Sequence, residues 1–342
     1  MARHFDEEYF LSLEQNKQQN LLKIIKSGIK NPNSQMGAYA MHANDYEDFA
    51  PFFDKLLHDY HNIDANKEIS QPSNWDFSNT SCDLKNIDKT LNDVSMRVRV
   101  ARNPKIFPLT GAMSKNERIE FEKLAANAFQ TLAQHKDFGG KYLSLTPNSL
   151  HQINEAEYQK RIDSHQMFKD MSNDKYLSVA GISNDWPYGR GIYISRNEDF
   201  LVWVGEEDSL RIMAMQIGSN LNALFNRLHN GLEILETLLP AFAISKKYGN
   251  ITSCPTNLGA SMRASLHIKL PNLSKNGTDL SELEREAKSF GLAVRGVGGE
   301  HSKAGIDGLV DISPSARLGV SEMQIMQNLY QGIDRLWQLE KQ

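Results

Sequence analysis

Residues 96–102, Met96-Arg97-Val98-Arg99-Val100-Ala101-Arg102, alternate cleanly between apolar and basic side chains. A period of two is that of an extended strand, and it turns Arg97 and Arg99 to one face and Val98 and Val100 to the other. A second alternating run follows Ala264, with Leu266, Ile268 and Leu270 on one face and Ser265, His267 and Lys269 on the other. Both read as half-buried strands of a sheet.

The second run is preceded by Cys254-Pro255-Thr256-Asn257-Leu258-Gly259-Ala260-Ser261-Met262-Arg263. A thiol leads into a turn set by Pro255, then a small-residue loop in which Gly259 frees the backbone, then an arginine at the mouth of the strand. The plain alternative is a turn with a buried cysteine, since cysteine often packs as a small hydrophobe.

Further strands are expected at 191–195, 200–204, 210–215, 292–295 and 308–312. Ser114-Lys115-Asn116-Glu117 and Ser321-Glu322-Met323-Gln324 have capping-box form and open helices, the second over 321–338. Other helices fall at about 219–238 and 279–289, and two helical stretches precede residue 61. Strands at hairpin-length gaps with helices in blocks predict an α+β fold with a mostly antiparallel sheet. We divide the chain into a small all-α N-terminal domain over 1–72, a linker over 73–92 rich in Asn, Asp and Ser, and a large domain over 93–342.

Composition narrows the function classes. A net charge of −4 over 342 residues gives no general reason to bind nucleic acid, so any arginine cluster must serve a small anion. Two cysteines, Cys82 and Cys254, lie far apart without metal-ligand spacing, so neither a disulfide framework nor a metal site is expected. The N-terminus has no apolar signal core, residue 2 is alanine, and no apolar run approaches membrane-spanning length. The expectation is a cytoplasmic protein with reduced thiols.

No P-loop or kinase-type glycine loop is present. Arginines instead stand at strands or loop edges: Arg97, Arg99, Arg211 after Glu206-Glu207-Asp208, Arg263 after the cysteine loop, and Arg295 before Gly296-Val297-Gly298-Gly299-Glu300-His301. Converging guanidinium forks match phosphate oxygens bidentately and can neutralise a triphosphate; a surface ion pair is the plain reading of any one alone. Two glutamates and a cysteine suit a cationic, planar, hydrogen-bond-donating substrate.

These residues resemble the phosphagen (ATP:guanidino) kinase family, in the form of its arginine kinases. The resemblance runs from Leu21 to Leu339 and is carried by the cysteine stretch through His267-Ile268, Phe200-Leu201-Val202-Trp203-Val204 with Glu206-Glu207-Asp208, Arg97-Val98-Arg99, and Arg295-Gly296 with Gly299-Glu300-His301. Asp185-Trp186-Pro187 and Gly189-Arg190-Gly191-Ile192 also fit. The resemblance implies reversible transfer of the γ-phosphoryl group of ATP, with Mg2+ held mainly by the phosphates and water, to a guanidino nitrogen. It implies that Arg97, Arg99, Arg211, Arg263 and Arg295 hold the phosphates and Asp311 contacts the ribose. Glu207 and Glu300 would align the guanidinium, with Glu207 the proton acceptor and Cys254 a thiolate beside it.

The loop Ser34-Gln35-Met36-Gly37-Ala38-Tyr39 aligns without a gap to the arginine-kinase form of the substrate loop, and Ser34, Gly37 and Tyr39 with the loop amides would hold an amino-acid carboxylate. Gln35 and Met36 depart from the family's usual glycine and valine there, and Ile194 stands in place of a histidine that stacks on adenine. L-arginine is the expected acceptor, with taurocyamine or another guanidino acid as the alternative. A protein-arginine kinase and a non-catalytic nucleotide-binding regulator are the more distant readings. A monomer is expected, with a homodimer as its alternative.

Overall fold

The computed structural model describes residues 1–77, 80–296 and 305–342. The chain opens with four helices: α1 (Glu7–Ser12), α2 (Gln15–Lys30), α3 (Asp45–Asp48) and α4 (Ala50–His61). Apolar residues at helical spacing bury one stripe of α2 (Leu21, Ile24, Ile25) and one of α4 (Phe52, Phe53, Leu56, Leu57). Pro51 in its first turn starts α4, and Asn62 in the left-handed region ends it (φ 56°). The core these helices share with Tyr46 and Phe49 also takes in Tyr248, Ile251, Cys254, Leu258 and Leu318. The cysteine loop therefore lies in the seam between the helical segment and the rest of the chain.

The remainder is organised by one sheet. Its strands are β1 (Val94–Arg102), β2 (Gly140–Ser144), β3 (Gly191–Ser195), β4 (Phe200–Val204), β5 (Leu210–Gly218), β8 (Met262–Lys269), β9 (Leu292–Gly296) and β10 (Leu309–Pro314); β6 (Ile244–Ser245) and β7 (Gly249–Asn250) form a separate ribbon. The order is β2-β3-β4-β5-β1-β8-β10-β9, every neighbouring pair antiparallel. The helices are α5 (Lys115–Leu132), α6 (Glu155–Asp163), α7 (Lys175–Val179), α8 (Leu221–Leu238), α9 (Ser281–Ser289) and α10 (Glu322–Glu340). Both capping boxes form, at Ser114 with Glu117 and at Ser321 with Gln324. The architecture is the α+β arrangement expected, with a helical N-terminal part and an antiparallel sheet.

The two faces of the sheet differ as the alternation requires. Val98, Val100, Ile212, Ala214, Ala264, Leu266, Val310 and Ile312 pack against Phe121 and Ala125 of α5, Leu228 and Leu232 of α8, and Leu329 and Ile333 of α10. On the opposite face the β2–β4 end is covered by Tyr158, Met167, Phe168 and Met171, which pack on Ile192, Ile194, Leu201 and Trp203. The opposite face over β5, β1, β8, β10 and β9 borders an open cleft.

The described residues of the segment 62–93 make contacts with the large part of the chain. Gln71 Nε2 donates to the Val320 carbonyl (2.8 Å), the Asn74 amide to Glu322 Oε2 (2.9 Å), and Trp75 stacks on His229 (4.7 Å between ring centroids). Strand β2 and helices α6 and α7 were not expected: all three are short, and β2 lacks alternation, with Tyr142, Leu143 and Ser144 all buried. Among the described residues no helix is long and apolar enough to cross a membrane.

Gly231 of α8 faces Phe200, and a Cβ there would lie 2.3 Å from the phenyl ring and 2.9 Å from that of Phe138. Alanine gains at most ~1 kcal/mol of helix propensity, against ~1–3 kcal/mol for overpacking. Gly231→Ala should therefore lower the unfolding free energy by about 1–2 kcal/mol in urea titration. Unchanged stability would mean that this contact is not tight.

Candidate functional site

Strand register gathers the arginines. Arg99 pairs with Arg263 and Arg97 with Ser265 across β1–β8; Arg211 pairs with Ala101 across β1–β5; His267 pairs with Asp311, and Asp311 with Arg295. Because side chains alternate, Arg97, Arg99, Arg211, Arg263, Arg295 and Asp311 share the face away from the helices. The cleft on this side is about 1340 Å³ and is lined by Arg97, Arg99, Arg263, Arg295, His267 and Asp311, together with Trp203 and His165.

This face carries an electrostatic penalty. Burial, and then Arg263 and Arg211, push the Arg97 pKa down to about 10; burial and Arg211, Arg97 and Arg263 push Arg99 well below its ordinary value. Among the described residues Arg97 Nη2 donates to the Met213 sulfur (2.7 Å), a weak acceptor, and its guanidinium lies 5.5 Å from the Trp203 ring. Among the described residues, Arg97 Nε and Arg263 Nε are buried without a hydrogen-bond partner. Crowded guanidinium groups with unused donors fit a polyanion, which would relieve the repulsion and fill the donors together. Asp311 Oδ2 accepts from Arg263 Nη2 (2.7 Å), so the carboxylate expected at a ribose is tied to an arginine in this state.

The β4–β5 turn carries the acids. Gly205 turns it with φ +72°, and a Cβ there would lie 2.2 Å from the Gly189 carbonyl oxygen, so no side chain fits. Arg211 bonds Glu206 (2.8 Å) and Glu207 (2.5 Å), and Asn257 Nδ2 donates to Glu207 Oε2 (3.1 Å). Burial pushes Glu207 up to about 7, with Glu206 and Asp208 adding and Arg211 opposing. Asp208 is fully buried; its Oδ1 accepts from Asn103 Nδ2 and from the Ser253 amide, both at 2.8 Å.

Ser253 thereby joins the acid turn to the cysteine loop. Its carbonyl accepts from the Ala40 amide (2.8 Å), and its hydroxyl meets the Thr110 hydroxyl (3.0 Å). Cys254, the next residue, is buried with its sulfur 3.1 Å from Thr256 Oγ1. Burial and the neighbouring Glu207 push its pKa up, which favours the thiol over the thiolate. A guanidinium placed there would reverse both shifts.

The loop over 34–39 is seated on α2. The Gly28 amide donates to the Gly37 carbonyl and the Tyr39 amide to the Ile24 carbonyl, both at 2.9 Å. Gly28 and Gly37 touch so closely that a Cβ on Gly28 would lie 2.6 Å from the Gly37 oxygen. Tyr39 is buried, and its phenol is pushed up by burial and then by Cys254 and Glu207, which sets it against the acid pocket. The Ser34 amide is committed to the Asn31 carbonyl (2.9 Å); the amides of residues 35–38 make no hydrogen bond among the described residues. Met36 is buried in the helical core while Gln35 is exposed, so of the two departures only Gln35 faces outward.

Glu300 lies outside the described residues. Ile194 does not reach the cleft: it is 2% exposed and packs among the residues covering the β2–β4 end. The histidines at the cleft are His267 and His165, and the sequence reading passed over His165 because it sits in a polar turn with no motif around it. Arg317 was also missed. It is buried, and its pKa is pushed down to about 10 by burial and then by Arg263 and Arg295, with Tyr60 and Cys254 opposing.

The raised Glu207 pKa has a consequence for stability. A carboxyl raised from an ordinary 4.5 to about 7 contributes stability in full below pH 4.5 and loses it as pH rises through 7. Glu207→Gln should therefore be more resistant to urea than the native chain at pH 8, with the advantage shrinking below pH 5. A difference that is the same at both pH values, or a variant weaker than the native chain only at pH 8, would show that ionisation of Glu207 does not destabilise the fold.

Comparison with known proteins agrees with this geometry. Residues 1–58 match the ATP:guanido phosphotransferase N-terminal domain, and residues 120–342 match the ATP:guanido phosphotransferase C-terminal catalytic domain. An arginine kinase of Limulus polyphemus is 36% identical over 344 residues, covering 100% of this chain and 92% of that protein. One from Anthopleura japonica is 36% identical over 349 residues, and there the match spans 46% of the relative's length. Among solved structures, a lombricine kinase superposes with a TM-score of 0.87 at 28% identity, covering 99% of this chain and 91% of that one. The substrate-free duplicated taurocyamine kinase from Schistosoma mansoni gives 0.81 at 32% identity, covering 94% of this chain and 43% of that one. The chain belongs to the ATP:guanido phosphotransferase family.

Proposed function

We propose that this chain transfers the γ-phosphoryl group of ATP reversibly to a guanidino nitrogen of free L-arginine. The observation that carries the reading is the position of Arg211. It stands in the arginine face while its two forks hold Glu206 and Glu207, so an anion site and a cation site share one wall. The reacting groups, a γ-phosphoryl and a guanidinium, have these opposite charges and must meet at such a wall.

Arg97, Arg99, Arg211, Arg263 and Arg295 would hold the phosphate chain, and the unpartnered Nε atoms of Arg97 and Arg263 fit that task. Mg2+ would arrive on the phosphates and neutralise part of their charge. His165 also lines the cleft and would offer a flat ring on which a base could stack. Glu207 would align the guanidinium in paired geometry and take its proton, and a pKa near 7 suits a general base at neutral pH. Cys254 would face the same cation and become a thiolate only then. Tyr39 and the amides of residues 35–38 would hold the amino-acid end of the substrate. Positioning and charge neutralisation, not covalent help, dominate phosphoryl transfer.

Taurocyamine is the second reading, favoured by one observation: the exposed loop residue is Gln35 rather than the family's glycine. A coupled assay of ADP formation against arginine, taurocyamine, creatine, glycocyamine and lombricine should give arginine the highest kcat/KM. Turnover of taurocyamine with arginine inert would transfer the assignment, and no turnover of any would overturn the reading. Glu207→Gln should lower kcat by about 10²–10⁴ with MgADP affinity nearly unchanged. Cys254→Ser should keep reduced activity; complete loss in a folded protein would point to an obligatory covalent role.

A further inference from the structure

We infer that Thr110 is a positioning residue for this reaction, clamping the glutamate turn to the cysteine loop through its hydroxyl. The inference rests on the reading of Glu207 and Cys254 as the guanidinium site. Thr110 is fully buried on the segment between β1 and α5. Its Oγ1 donates to the main-chain carbonyl of Glu207 at 2.5 Å and lies 3.0 Å from Ser253 Oγ. A hydroxyl has one proton, so with that proton on the Glu207 carbonyl the Ser253 hydroxyl must donate to Thr110. The resulting chain, Ser253 to Thr110 to Glu207, ties the residue before Cys254 to the backbone of the proton acceptor.

Thr110 is itself held in place. Its carbonyl accepts from Arg118 Nη2 (2.7 Å), which also donates to the Gly181 carbonyl (2.9 Å). The preceding Leu109 amide donates to the Met41 carbonyl of the helical segment (2.9 Å), and a Cβ on the following Gly111 would lie 2.7 Å from the Ala180 oxygen. The clamp is therefore anchored to the small helical part and to the α7 region at once. Asp208 makes a second link, through the Ser253 amide, which holds the loops together but leaves the Glu207 carbonyl unsupported. Without the Thr110 hydroxyl, a buried carbonyl and a buried serine lose their partner, and the Glu207 backbone can shift. A displacement near 1 Å at reacting groups can cost about 10²-fold in rate.

The test is Thr110→Val, which keeps the shape and removes the hydroxyl, beside Thr110→Ser, which restores it. With the acceptor that the native chain turns over best, Thr110→Val should lower kcat about tenfold or more while KM for MgATP stays within about twofold. Thr110→Ser should return kcat to within about threefold of native. Native turnover in the valine variant overturns the inference, and so does equal impairment of both variants, which would assign the effect to packing of the methyl group. Should Thr110→Val fail to fold, Ser253→Ala replaces it: kcat should fall about tenfold with KM for MgATP unchanged, and turnover within about threefold of native would overturn the clamp. If the native chain itself turns over no guanidino acid, it is the functional reading that has failed, not the clamp.

Discussion

The crowding of guanidinium groups on one face of the sheet is the constraint on which the site depends. Antiparallel register sets Arg99 opposite Arg263 and keeps Arg97 and Arg211 on the same face, Arg211 buried and the other three half-buried at the cleft. Like charges so placed repel one another. The arrangement persists because the opposite face is packed between strand and helix residues that fix the register. A one-residue slip would send the arginines into the core, so core packing and site geometry are one specification.

The acid pocket is the electrostatic complement of that face, and Arg211 joins the two. Ser253 joins them to the rest of the chain: its amide binds Asp208, its carbonyl binds Ala40, and its hydroxyl meets Thr110. From Ala40 the connection continues through Tyr39 to the Ile24 carbonyl of α2. The loop that would hold the substrate tail and the thiol that would face its guanidinium are thus only a few hydrogen bonds apart. Movement of the helical part on substrate binding would be felt directly at Cys254, which is how a closing site can exclude water and assemble its catalytic groups together.

Much of this was legible in the alternation of residues 96–102 and 264–270, because a period of two assigns side chains to faces regardless of what surrounds them. The capping boxes at Ser114 and Ser321 were equally readable, since they are local. Convergence of the arginines was not readable from spacing, because it depends on the strand order β5-β1-β8-β10-β9. That Ile194 packs away from the cleft was not readable, because a position in a motif says nothing about which face of a strand a helix and its loop will cover. His165, Thr110 and Arg317 had no motif to mark them; long-range packing alone brings them to the site. The upward push on the Cys254 pKa was also hidden, since it follows from burial beside Glu207.

Thermal unfolding with inorganic tripolyphosphate and, separately, with adenosine tests the arginine face most directly. A ligand bound only to the folded chain at about a hundredfold over its Kd adds about 2.7 kcal/mol of stability. If the guanidinium groups are held apart for a phosphate chain, tripolyphosphate should raise Tm by several degrees in a dose-dependent way, and adenosine should do much less. Stabilisation by adenosine with no response to tripolyphosphate would contradict the account.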